Sequence, residues 1–145
     1  ELPSFIKSLV KSLQKGPGGT VAVRGVEDGA VSRQRDDAEI EEEIRHRMES
    51  VPETLMSSLY PFQVECVLFA IRRKGRILIG DEMGLGKTLQ ALAVACAYRE
   101  DWPILVVAPS SLRRNWQNEA LKWVPGLTNQ NTQIVKDAKT GVRDD

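Results

Sequence analysis

One histidine, two cysteines and no net charge are all this chain offers where a metalloprotein, a disulfide scaffold or a strongly basic binder would be rich. Cys66 and Cys96 stand far apart, and neither has a neighbour at metal-ligand spacing, which disfavours a metal site or a redox pair. Both fall in apolar stretches, residues 64–70 and 92–97, where a free thiol behaves as a small hydrophobe. A reducing compartment follows from that usage. Lys plus Arg and Asp plus Glu are equal at 20 each, so any nucleic-acid contact has to come from a local patch rather than a global basic field. No run approaches the roughly 20 apolar residues of a membrane span, and residues 1–14 lack the apolar centre of a secretory signal. The chain therefore reads as soluble and intracellular, with no membrane partner. It begins with Glu1 rather than Met, as expected of a piece of a longer protein. His46, alone of its kind, has no partner that suggests catalysis, and no function is assigned to it.

What is present divides into residues 1–54 and residues 55–145. In the first part, Phe5, Ile6, Leu9, Val10 and Leu13 recur at helical spacing and predict a short amphipathic helix over residues 2–14. Residues 15–19, Lys-Gly-Pro-Gly-Gly, break it, and Val21-Ala22-Val23 suits a brief strand. Residues 25–52 are polar and charge-rich. Acidic residues precede Arg45, His46 and Arg47 in the order a helix dipole favours, and Ile40, Ile44 and Met48 form a thin apolar stripe. An exposed helix or a flexible insertion accounts for this zone, its acidic run a solvated face.

From Leu55 onward the text is dense and regular. Residues 62–73 read as a helix with Phe62, Cys66, Phe69 and Ala70 on one side, and residues 87–99 and 111–123 as two more. Between them, residues 76–80 and 103–108 are short, continuous apolar runs, with a third candidate at 132–136. Fully apolar strands alternating with helices predict an α/β fold with a parallel sheet covered on both faces.

The most informative segment lies between the first of those runs and the helix at 87. It reads Gly80-Asp81-Glu82-Met83-Gly84-Leu85-Gly86-Lys87-Thr88. The general phosphate-loop pattern is G-x-x-x-x-G-K-[ST] between a strand and a helix. Here the Gly-Lys-Thr ending is present, but Asp81 stands where the pattern has its first Gly. The chemistry is carried by the other end. Gly84 and Gly86 permit backbone angles that let N–H groups converge on an anion. The helix start adds unsatisfied N–H groups and the positive dipole end. Lys87 supplies a compact charge suited to the β- and γ-phosphates, and Thr88 a hydroxyl for Mg2+. An ordinary Gly-rich turn with a solvent-facing lysine is the competing account, and the flanking elements weigh against it.

Asp81-Glu82-Met83-Gly84-Leu85-Gly86-Lys87-Thr88 resembles the first motif of Swi/Snf-like ATPases of helicase superfamily 2, in which Asp takes the place of the first Gly. The residue ahead of it is usually Ala in that family and is Gly80 here. Leu59-Tyr60-Pro61-Phe62-Gln63 resembles the family's adenine-recognising element, and a glutamine amide, which both donates and accepts, suits that edge. Ala108-Pro109-Ser110-Ser111-Leu112, followed by Asn115-Trp116, resembles a motif that lies against the DNA backbone in the family. For Pro109, Ser110 and Ser111, phosphate contact and plain helix capping by a serine stay equally open. Gly75-Arg76, residues 98–103 and residues 122–125 look like the annealing-helicase subgroup, whose members rewind single-stranded bubbles and remodel stalled forks.

The resemblance covers roughly residues 55–135 and implies part of a first RecA-like lobe, ATP and Mg2+ as ligands, branched or junction DNA as partner, and a nuclear location. Gln63, Asp81, Glu82, Met83, Gly84, Leu85, Gly86, Lys87 and Thr88 would hold the nucleotide, with Lys87 and Thr88 acting in catalysis and Thr88 at the metal. Members also use an Asp-Glu-x-His motif of the same lobe and arginine fingers from a second lobe, and no Asp-Glu pair follows Thr88 here. A sheet without its later strands would leave an open apolar edge. Two expectations result: a fragment of a DNA-dependent ATPase, or a short protein that binds nucleotide or a partner without turnover. A small-molecule kinase is a distant third.

Overall fold

The computed structural model describes residues 37–135. The predicted helix at 2–14, the strand at 21–23 and residue 136 lie outside the described residues.

Five α-helices order the described part: α1 (Asp37–Glu49), α2 (Glu53–Met56), α3 (Pro61–Arg72), α4 (Lys87–Ala97) and α5 (Arg113–Trp123). Short 3-10 turns occupy Arg99–Asp101 and Ser110–Leu112.

The thin stripe on α1 is its packing face. Ile44 and Met48 are buried and Ile40 packs beside them, while Glu39, Glu41 and Glu42 stay in solvent. The spacing of four places all three on one side of a helix. Arg47 extends that side, lying over the Tyr98 ring at 4.1 Å and within 3.8 Å of the Asp101 carboxylate.

Helix α3 starts where Pro61 can occupy the first turn without losing a bond. It ends in a Schellman turn: Lys74 at φ 54° and Gly75 at φ 76° send their N–H groups back to Ile71 and Ala70. A Cβ on Gly75 would stand 3.4 Å from the Tyr98 ring, so the turn also needs a small residue. The buried face of α3 is Gln63, Val64, Val67, Leu68, Ala70 and Ile71. Phe62 and Phe69, the large apolar residues of the side read from sequence, are each 41% exposed. Val64, Val67, Leu68 and Ile71 meet Leu92, Ala93, Cys96 and Ala97 of α4, with Leu55, Leu59 and Val124 closing the cluster. Each large side chain buried there contributes about 1.5–3 kcal/mol. Burial pushes the Cys96 thiol up to about 11, against a smaller lowering by Arg99, so it serves as an apolar core atom.

The expected α/β architecture is overturned: among the described residues there is no strand and no sheet, so they do not form the RecA-like parallel-sheet lobe. Residues 76–80, 103–108 and 132–135 carry no regular secondary structure. The physical reason is that an apolar run specifies extended backbone locally, whereas a strand exists only through a partner's N–H and C=O groups. The runs are also not buried. Leu78 is 81% exposed, Leu105 83% and Val107 89%. Two helix limits shift as well. The helix read as 87–99 closes at Ala97, and the one read from 111 begins at Arg113 after the 3-10 turn.

Candidate functional site

Residues 81–86 form an irregular loop that ends at the start of α4. Gly84 has φ 88° and Gly86 φ 76°, both in the left-handed region that side chains oppose. Gly86 is the residue just ahead of α4, and no side chain caps that helix. The N–H groups of its first turn are therefore left for another acceptor.

Three side chains hold the loop from behind. The Lys87 ammonium donates to the Asp81 carbonyl at 2.8 Å and the Glu82 carbonyl at 2.9 Å. Since an ammonium carries three donors, one remains. Gln63, 2% exposed on α3, donates from Nε2 to the Leu85 carbonyl at 2.9 Å and accepts the Tyr60 N–H at Oε1, also at 2.9 Å. Gln90, fully buried one turn into α4, donates from Nε2 to the Asp81 carboxylate at 2.7 Å and to the Leu85 carbonyl at 3.3 Å. Gln63 also lies so close to Gly86 that a Cβ there would stand 2.4 Å from its Nε2. Cys66 of α3 is half-buried nearby. Burial raises its thiol pKa first, and the negative charge of Asp81 adds to the rise.

The residues read from sequence thus fall into two groups. Gln63, Asp81, Leu85, Gly86 and Lys87 are joined by hydrogen bonds or close approach. Glu82 contributes its carbonyl to Lys87, and Thr88 sits half-buried in the first turn of α4. Met83 is 95% exposed at the loop's outer edge. Pro109, just ahead of the second 3-10 turn, and Ser110 and Ser111 within it are exposed. Neither serine caps a helix there, because Pro109 precedes that turn, Leu112 precedes α5 and neither start has a side-chain cap. Gln90 was not among the residues singled out. Its signal was the single polar side chain after Thr88 in the helix Lys-Thr-Leu-Gln-Ala-Leu-Ala-Val-Ala-Cys-Ala.

Glycines in the left-handed region, an uncapped helix start and one ammonium donor to spare fit a polyphosphate. A cavity of about 360 Å³ lies elsewhere, bounded by residues 102–108, by Trp116 and Ala120 of α5, and by residues 131–135. Its lining is mostly apolar and includes none of residues 80–88. Among the described residues no helix is long and apolar enough to cross a membrane.

The model of the SNF2-related domain family matches residues 61–144, more than half of the chain, and the chain belongs to that family. It is 44% identical over 96 residues to the DNA annealing helicase and endonuclease ZRANB3 of Homo sapiens, a match covering 66% of this chain and 9% of that protein. Against the SWI/SNF-related matrix-associated actin-dependent regulator of chromatin subfamily A-like protein 1 of Bos taurus it is 46% identical over 94 residues, covering 65% and 10%. The Drosophila melanogaster protein of that name is 43% identical over 93 residues, covering 64% and 12%. The chain thus spans about a tenth of the length of the curated relatives it matches. No solved structure matches it.

Proposed function

We propose that residues 81–88 bind the phosphates of ATP and that the chain is part of an ATP-dependent DNA translocase of the annealing-helicase kind, acting in DNA repair and replication-fork remodelling. The observation that carries this reading is the loop itself. Gly84 and Gly86 sit in left-handed conformation before an uncapped helix, and Lys87 is folded across the loop with one donor to spare. Backbone N–H groups and the helix start attract the phosphate charge, and Lys87 adds a charge-assisted bond. Thr88 is the side chain that would hold Mg2+, whose charge would offset that of the phosphates. Gln63 is the residue assigned to the adenine. One N–H and one lone pair of its amide remain beyond the bonds to Leu85 and Tyr60. Pro109, Ser110 and Ser111 are assigned to the DNA backbone, supported by hydroxyl groups that no helix cap uses.

The DNA partner is a branched or single-strand/double-strand junction and the location nuclear, in keeping with the names of the relatives. Turnover needs groups beyond Lys87 and Thr88. Competition against a methylanthraniloyl-ATP probe separates these assignments. ATP should displace the probe well ahead of GTP, and Gln63→Ala should narrow that preference. Equal displacement by both nucleotides would retire the adenine role. Forked DNA should bind the chain, and Ser110→Ala with Ser111→Ala should weaken that binding without touching nucleotide affinity.

A further inference from the structure

Gln90 is fully buried, yet its carboxamide points at the loop rather than being excluded from the core. Side chains of a helix lean toward its N-terminus, so a long residue one turn in reaches back over the helix start. The orientation of the amide is fixed by chemistry. The Asp81 carboxylate, when ionised, only accepts, so the atom 2.7 Å from it must be Nε2. That leaves Gln90 Oε1 buried without a partner, a cost sustained only if the donor end is well used.

Its two acceptors lie at opposite ends of the loop. Asp81 opens the loop and Leu85 stands next to its last glycine. Gln63 from α3 donates to the same Leu85 carbonyl. In a trans peptide the C=O and the following N–H point in opposite directions. Pinning the Leu85 carbonyl toward the two glutamines therefore turns the Gly86 N–H away from them, toward the open side.

We propose that Gln90 is a positioning residue for the loop. Its amide clasps Asp81 to the Leu85 peptide, and with Gln63 it sets the direction in which the Gly86 N–H faces. This assigns a task to the carboxylate that stands in place of the general pattern's first glycine: Asp81 is the acceptor that orients Gln90. The consequence for nucleotide rests on the phosphate-binding reading; the clasp itself does not.

The test reverses the polarity of the pair. Gln90→Glu sets two carboxylates against each other; adding Asp81→Asn restores the side-chain pair with donor and acceptor exchanged, while the Leu85 carbonyl keeps only its Gln63 donor. Hydrogen exchange of the peptide over residues 80–91 is read in the nucleotide-free chain, and Mg-ATP affinity is read with a methylanthraniloyl-ATP probe. Gln90→Glu should speed exchange several-fold and weaken Mg-ATP about tenfold, the size of one lost charged hydrogen bond. The double variant should recover part of both, through the restored bond between positions 81 and 90, which a general loss of packing would not allow. A double variant that exchanges as fast as Gln90→Glu overturns the proposal. If Gln90→Glu does not fold, Asp81→Ala, on the loop itself, decides: unchanged exchange overturns the clasp, and faster exchange supports it. A parent chain that binds no Mg-ATP but shows the exchange pattern removes the nucleotide reading and leaves the clasp standing.

Discussion

Two segments of this molecule have the same outline: an apolar run without regular structure, a short turn, then a helix. Residues 76–88 lead into α4 and residues 103–113 lead into α5. Behind the first turn stand two buried glutamines and a lysine that hold its carbonyls, and two glycines give it left-handed backbone. Behind the second, neither the 3-10 turn nor α5 has a side-chain cap, and Pro109, Ser110 and Ser111 are exposed. A helix start offers unsatisfied N–H groups in both places. What separates them is the buried polar support that fixes where those groups point, since a preorganised donor array binds without first having to be ordered.

The sharpest way to break this contrast is Gly86→Ala. The left-handed φ costs about 1–2 kcal/mol, and the added Cβ would evict the Gln63 amide from two buried hydrogen bonds. A total loss near 2–4 kcal/mol is expected in denaturant unfolding. Gln63→Ala follows, at about 1–3 kcal/mol, because the Leu85 carbonyl loses its nearer glutamine donor and the Tyr60 N–H its acceptor. Gly84→Ala should cost only the backbone penalty, about 1–2 kcal/mol, as nothing lies within 4 Å of the new Cβ. In that pair the difference between Gly86 and Gly84 measures the glutamine contact directly by thermal melting. Smallest of all, Ser110→Ala and Ser111→Ala should stay within about 0.5 kcal/mol of the parent. A loss of 1 kcal/mol or more would mean that a serine is acting as a helix cap and would erase the contrast.

Local information was legible in the sequence and pairing was not. Helices α3, α4 and α5 follow from apolar spacing within each segment, and the start of α4 at Lys87 follows from the glycines before it. The side of α3 was harder to read. Phe62 and Phe69 are larger than Val64 and Val67, yet the smaller residues match the Ala- and Cys-rich face of α4, and the phenylalanines remain half exposed. The stripe of α1 was visible as Ile40, Ile44 and Met48, but its burial depends on surfaces supplied by residues later in the chain. The runs around Leu78 and Leu105 were read as sheet because they are apolar and short. Strand formation depends on partners that no local pattern names, and here those runs stay exposed. Of the candidate site, Lys87, Thr88 and the glycines announced themselves by motif. Gln90 did not, because its role lies in a buried bond to Asp81 rather than in a loop residue.

The central claim is that the loop before α4 holds a triphosphate through backbone N–H groups and the Lys87 ammonium. Isothermal titration of Mg-ATP into the chain and into Lys87→Ala tests it most directly. Saturable binding by the parent, weakened about tenfold to a hundredfold by loss of the charged donor with helical content unchanged, is the predicted result. Binding of equal strength in the two proteins, or none in the folded parent at millimolar nucleotide, would contradict it.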